Sequence, residues 1–279
     1  MATPELSPVA RIAREQDPDR FLCALFAPAE RREALFALIA YNIELARARA
    51  VASRPMAALI RLQWWRDTVA EAVAAPTRAP PRHEVAGPLV AAIRAGALDP
   101  ADLTAMADAR EAETEDDPFP TFEAFHAYLR GTAGRLAIAS GRLLGAPAEA
   151  LPGLEARGVA YGAAGVLRAA PALARHGRCL LPADMLAAHG LSVETAARDP
   201  GASAWSAFAR DLLDGRGLAA VPAERLPAAW IAAALPAVLA RRDTRRLRRA
   251  GLAAAGALQP GRALADRLAV TWAALRGRA

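Results

Sequence analysis

An all-α fold follows from three features of the sequence. Of the 279 residues, 54% are hydrophobic but only 5% are aromatic, and alanine fills about a quarter of the positions. Alanine, leucine, arginine and glutamate, the strongest helix formers, dominate, while the β-branched and aromatic residues that suit strands are sparse. Apolar residues recur at i, i+3 and i+4, the period of a helix with one buried face, and no alternating strand pattern competes with them.

The first strong helix runs from Pro28 to Arg49. Pro28 suits a first turn, Glu30 and Glu33 suit its positive end, and Leu35, Leu38, Ile39, Asn42 and Leu45 share a face. Pro55 breaks the pattern, and a second helix covers 56–75 with Gln63-Trp64-Trp65-Arg66-Asp67 inside it. The two tryptophans diverge by about 100° on a helix, so one belongs to the core and the other to a groove. Four prolines make 75–88 a loop. Helices resume over 89–94 and 100–115, where Asp99-Pro100 reads as an N-cap followed by a first helical position. The stretch 116–120 ends that pattern, and Thr121 opens a helix that runs to about Leu144. A further helix covers 154–175, weakened near its end by Pro171. After a connector at 177–182, a short helix starts at Ala183-Asp184. Three more segments, 201–215, 222–249 and 260–275, complete the chain. With no internal repeat and no long linker, 1–279 reads as one domain, with 1–16 as a flexible lead-in.

Composition also excludes several functions. The apolar content is too high for a disordered chain. Two cysteines, Cys23 and Cys179, cannot build a disulfide framework. Phosphate-loop, zinc-protease, serine-hydrolase and calcium-loop motifs are absent, and His83, His126, His176 and His189 are too scattered to pair as metal ligands. The longest charge-free apolar run, 226–240, is too short to span a membrane and contains two prolines. No leader pattern opens the chain, so a cytoplasmic protein is expected. The net charge is +6, and all 35 basic residues are arginine. Coding bias toward GC-rich codons accounts for most of that excess. The densest run, Arg241 to Arg249, reads as a solvated helix face near a C-terminal end, with phosphates or an anionic leaflet as the alternative. Aromatics do not interleave with it, which argues against nucleic acid.

The most specific signal is the order of four segments: Asp17-Pro-Asp-Arg-Phe-Leu-Cys-Ala-Leu-Phe-Ala-Pro leading into Tyr41-Asn-Ile-Glu-Leu-Ala-Arg; Leu62-Gln-Trp-Trp-Arg66; Phe122-Glu-Ala-Phe-His-Ala-Tyr-Leu-Arg-Gly-Thr-Ala-Gly134; and Tyr161-Gly-Ala-Ala-Gly-Val-Leu-Arg168, followed by His176-Gly-Arg-Cys-Leu-Leu-Pro182. Together these resemble the squalene/phytoene synthase family over nearly the whole chain. The resemblance implies a helical bundle of the isoprenoid-synthase type around a central cavity. It also implies two aspartate-rich motifs on facing helices, whose carboxylates hold Mg²⁺ against a leaving diphosphate.

At those positions this sequence carries Ala46, Arg47 and Ala50, then Ala169 and Leu173. Only Glu44 remains acidic nearby. The expectation is therefore a non-catalytic family member with no metal and no cofactor. Arg47 could stand in a cation's place and bind an anion directly. Tyr41, Glu44, Arg47, Tyr128, Arg168 and Arg178 are the candidate ligand-binding residues, for a prenyl or lipid ligand. The opening segment and Glu44-Leu-Ala-Arg-x-Arg49 are most similar to the motif-less branch that includes a mitochondrial complex I assembly factor. That likeness implies a role in assembling respiratory NADH:quinone oxidoreductase, with its subunits as partners and peripheral contact at the inner face of a membrane. The competing expectation is an active Mg²⁺-dependent prenyltransferase that condenses two prenyl diphosphates head-to-head. A third is a helical lipid- or partner-binding module.

Overall fold

The computed structural model describes residues 6–52, 54–221, 224–258 (backbone only at 255–258) and 263–279. In chain order the α-helices are α1 (Pro8–Gln16), α2 (Pro18–Ala24), α3 (Ala29–Arg47), α4 (Pro55–Ala74), α5 (Ala86–Arg94), α6 (Pro100–Ala109), α7 (Phe122–Leu129) and α8 (Arg135–Leu143). They continue as α9 (Leu151–Ala174), α10 (Ala183–Ala188), α11 (Val193–Arg198), α12 (Ser203–Arg210), α13 (Ile231–Ala234), α14 (Pro236–Ala250) and α15 (Leu264–Arg276). Among the described residues the only β pairings are two isolated bridges, Phe119 with Pro182 and Arg225 with Arg278.

Helix starts follow one local rule. Ser7, Asp17 and Asp99 each accept a hydrogen bond from a backbone N–H two or three residues on, and each precedes a proline at the first helical position. The first of these starts falls within the expected lead-in. Residues 8–16 form α1, whose Val9, Ala10 and Ala13 are buried, so of the flexible stretch only Leu6 and Ser7 are described outside a helix. The segment expected as one helix over 222–249 also differs. Its described part is helical only from Ile231 and is interrupted at Leu235-Pro236, where proline lacks the N–H that would continue the ladder. Residues 222, 223 and 260–262, expected in helices, lie outside the described residues.

Two apolar clusters form the core, and α9 belongs to both. Leu154, Ala160 and Tyr161 join a cluster with residues of α1, α3, α4, α5, α6, α8 and α13, whereas Val159, Ala163, Val166 and Leu167 join one with α7, α10 and α12. Pro171 sits inside α9 without ending it. Between α7 and α8 the chain does not break but takes a π turn over Arg130–Gly134. Here α9 comes very close. A Cβ on Gly158 would stand 2.3 Å from the Ala133 carbonyl oxygen, and one on Gly162 would stand 2.8 Å from the Ala133 Cβ. Only glycine permits that approach.

Candidate functional site in the central cavity

The close contact of α9 with the π turn forms one side of a cavity of about 430 Å³. The end of α1, α2, α3, the segment after α6, α7, the π turn, α9 and Leu180 all contribute to its wall. Its polar lining includes Asp17, Asp19 and Arg20 from α2 and its N-cap, Asn42 from α3, Arg110 and Glu113 beyond α6, Tyr128 from α7, and Tyr161 and Arg168 from α9, with Gln16 and Thr132 beside them.

These groups form two ion-pair clusters. On one side Glu113 is bound by both Arg110 and the Tyr128 hydroxyl, and Arg110 also donates to the Asn42 side-chain oxygen at 3.1 Å. Burial tends to lower the Arg110 value, but Glu113 and Tyr128 outweigh it and hold the guanidinium above its ordinary range. On the other side Arg20 donates to Asp17 at 2.7 Å and lies over the Tyr161 ring, 4.5 Å from its centre. The Tyr161 hydroxyl donates to Asp19 at 2.9 Å, and Arg168 pairs with Asp243 of α14 and stands 3.8 Å from Asp19. Burial, reinforced by Glu113 at Tyr128 and by Asp17 and Asp19 at Tyr161, pushes both phenols far up, so both remain donors. The pairing continues out of the cavity. The carboxylate of Asp243 also meets Arg246, and Arg246 and Arg242 together hold Asp266 of α15.

Of the six residues expected to bind a ligand, the structure brings Tyr128 and Arg168 into this lining. The other four stand elsewhere. Tyr41, one position before Asn42 and so about 100° round the helix, is fully buried and donates to the Leu103 carbonyl at 2.9 Å. Arg47, five positions after Asn42, is about 140° away from the cavity face. It is exposed, 3.6 Å from Glu44 and bonded to Gln16 at the cavity rim, so it does not occupy a cation's place inside. Glu44 lines a different cleft with Ile60, Arg61, Trp64, Trp65 and His83. Arg178 donates to the Glu113 carbonyl at 3.0 Å and stands 3.2 Å from Asp116, bracing that segment from outside the lining.

The positions expected to hold aspartate also separate. Ala169 lines the cavity, and Ala46, four residues after Asn42, shares its helix face. Ala50 is exposed beyond the end of α3, and Leu173 packs on the second apolar cluster. The tryptophan pair divides as expected: Trp65 is buried edge-on to Tyr41, and Trp64 is exposed along a groove. Asp17, Asp19, Arg20, Asn42, Arg110, Glu113 and Tyr161 line the cavity without being among the expected candidates. The Asp17-Pro18 cap is a visible pointer to the first three.

Solved structures share this architecture. A squalene synthase, HpnC, from Alicyclobacillus acidocaldarius superposes with a TM-score of 0.69 at 16% identity, covering 86% of this chain and 92% of its own. A dehydrosqualene synthase solved with a ligand gives 0.77 at 13% identity, covering 96% and 94%. At such identities they establish the fold, an all-α bundle of the squalene-synthase type.

Sequence identifies the family as well. The profile described as squalene/phytoene synthase matches residues 13–269, and the chain belongs to that family. Curated relatives named NADH dehydrogenase (ubiquinone) complex I, assembly factor 6, are 32% identical in Bos taurus and 30% identical in Homo sapiens, each over 184 residues. That span is 66% of this chain and 54% of the relatives, so the match covers about half of their length.

Proposed function

We propose that this chain is a non-catalytic member of its family. It assists assembly of respiratory NADH:quinone oxidoreductase and holds an anionic prenyl or lipid group in the central cavity. The observation that carries the reading is the commitment of the cavity carboxylates. Asp17 is tied to Arg20, Asp19 to Tyr161 and Arg168, and Glu113 to Arg110 and Tyr128. Mg²⁺ requires carboxylate and water oxygens in an octahedral shell. These oxygens are already neutralised by guanidinium, and alanine stands at Ala46 and Ala169. The donor set does not fit a metal-held diphosphate. An anion with an apolar tail fits better, with Arg20, Arg110 and Arg168 as cations and Ala133, Val166, Leu129 and Leu180 as the apolar wall. Kinship with the complex I assembly factors supports the cellular role.

The surface of α15 supports work at a membrane. Leu264, Leu268, Trp272 and Leu275 are 71%, 57%, 57% and 76% exposed and fall on one helix face. Arg267 and Arg276 flank that stripe, and Arg276 lies 4.2 Å from the Trp272 ring centre. No acidic residue shares the face, because Asp266 is buried with its arginines. An apolar stripe edged by arginine suits the boundary between headgroups and acyl chains. Among the described residues no helix is long and apolar enough to cross a membrane.

The deciding assay is pyrophosphate release from farnesyl and geranylgeranyl diphosphate with Mg²⁺. No release is expected. Turnover would overturn the reading in favour of head-to-head condensation, which would require Asp17, Asp19 and Glu113 to leave their arginines. Deleting the gene should lower NADH:quinone oxidoreductase activity in membranes, and unchanged activity would refute the assembly role.

A further inference from the structure

The arginine run on α14 divides between two faces of the helix. Arg242 and Arg246 turn to Asp266 and Asp243. Arg241, Arg245 and Arg248 turn to another face, where they line a separate cavity of about 140 Å³ with Thr244. The rest of the wall is small: Ala160 of α9, Ala219, Val221, Ala237 and Ala240. None of these residues lines the central cavity.

This pocket is rich in unbalanced positive charge. Arg248 is paired with Asp214, and nearby Arg157 with Glu224. Among the described residues no carboxylate lies within ion-pair distance of Arg241 or Arg245. Two guanidinium nitrogens of residues that line the pocket, Arg241 Nη1 and Arg248 Nε, are buried and meet no protein acceptor among the described residues. Buried donors are almost always satisfied, and two unsatisfied ones on a single pocket require an explanation. Burial first, then Arg157 and Arg245, hold the Arg241 guanidinium below its ordinary range, as expected where like charges crowd without a counter-ion. A solvated helix face would leave these donors in water.

We propose that the Arg241–Arg245–Arg248 pocket is an oxyanion site that takes a phosphate group, either free or carried on a lipid headgroup. A phosphate offers several acceptor oxygens, and guanidinium groups bind such oxygens in pairs. The four alanines leave the space, and the Thr244 hydroxyl adds a polar group to the wall. The inference stands independently of the central cavity and of the proposed assembly role.

Titration calorimetry with inorganic phosphate tests the site. Saturable binding to the native protein is expected, weakened about tenfold or more in Arg241→Gln/Arg245→Gln. Arg245→Gln alone, at an exposed position, should fold normally by circular dichroism and weaken binding in the same direction. A parallel arm uses phosphatidylcholine vesicles with and without phosphatidic acid. If phosphatidic acid raises native binding and the double variant loses that gain, the phosphate is a lipid headgroup. Free-phosphate binding with no such gain makes it a soluble ligand. The proposal is overturned if neither probe binds, or if both bind the double variant as tightly as the native protein.

Discussion

Gly158→Ala should destabilise the chain, although alanine is the better helix former. Two terms oppose each other. Replacing a helix-interior glycine by alanine is worth about 0.5–1 kcal/mol in backbone entropy. At position 158, however, the new Cβ would lie 2.3 Å from the Ala133 carbonyl oxygen and 2.8 Å from the Ala137 Cβ. The first neighbour is backbone and cannot rotate away, so α9 must retreat from the π turn by well over half an ångström. Such overpacking costs about 1–3 kcal/mol, and the wall of the central cavity moves with it. The net loss is about 1–2 kcal/mol, or roughly 2–3 °C in Tm for a chain of this size. Gly165→Ala is the internal control. It lies on the same helix and its Cβ would meet only the end of the Arg168 side chain at 3.7 Å, so it should stabilise by a few tenths to about 1 kcal/mol. Urea unfolding of both variants measures the difference directly. If Gly158→Ala is as stable as Gly165→Ala, the close approach does not constrain α9 and the reasoning fails.

Other outcomes follow from the ion pairs and the surface of α15. Asp266→Asn should cost about 2 kcal/mol, read by thermal unfolding, because two arginines lose their shared acceptor. The Asp266 site feels burial, which raises its value, but Arg246 and Arg242 more than offset it and hold the carboxyl below its ordinary range. Its contribution is therefore complete above the unfolded carboxyl value and is lost as pH falls through the folded one, so stability near pH 3 should depend less on this substitution than stability at pH 7. Tyr161→Phe should cost about 1 kcal/mol by removing the 2.9 Å bond to Asp19, and a double cycle with Asp19→Asn should show coupling. Trp272→Glu with Leu268→Glu should abolish sedimentation with phosphatidylglycerol vesicles without lowering Tm, since both side chains are exposed; unchanged sedimentation would remove α15 from the membrane reading.

The helices were readable where a periodic apolar face coincided with a cap or a proline, as in α3 and α6. α1 and α2 carried the same Ser-Pro and Asp-Pro signals as Asp99-Pro100. They were passed over because each is too short for periodicity to register. α11, with a single buried residue, gave no pattern at all. The cavity was only partly legible for a different reason. Motif matching on one segment ranks residues by distance along the chain, whereas a helix turns each successive residue by about 100°. That rotation put Arg47 outside and Asn42 inside. Arg20 and the Arg110–Glu113 pair come from two separate stretches, and Asn42 and Tyr128 come from two more; these groups meet only after folding, so no spacing within one stretch could reveal the cavity.

The π turn at Arg130–Gly134 sets which side of the long α7–α8 rod meets the cavity. A π turn is an α-helix that has absorbed one additional residue. Five residues fill the turn here where about four fill a turn of α-helix, so the flanking segments keep the facing that a regular helix one residue shorter would give them. Wound instead as strict α-helix, the same number of residues would turn everything before the stretch by about 100°, and Tyr128 would no longer face Glu113. The polar wall thus depends on how the residues between Tyr128 and Arg135 are wound as well as on their identities. A strictly α-helical path through all of those residues would dismantle the Arg110–Glu113–Tyr128 cluster while leaving each of its members in the sequence.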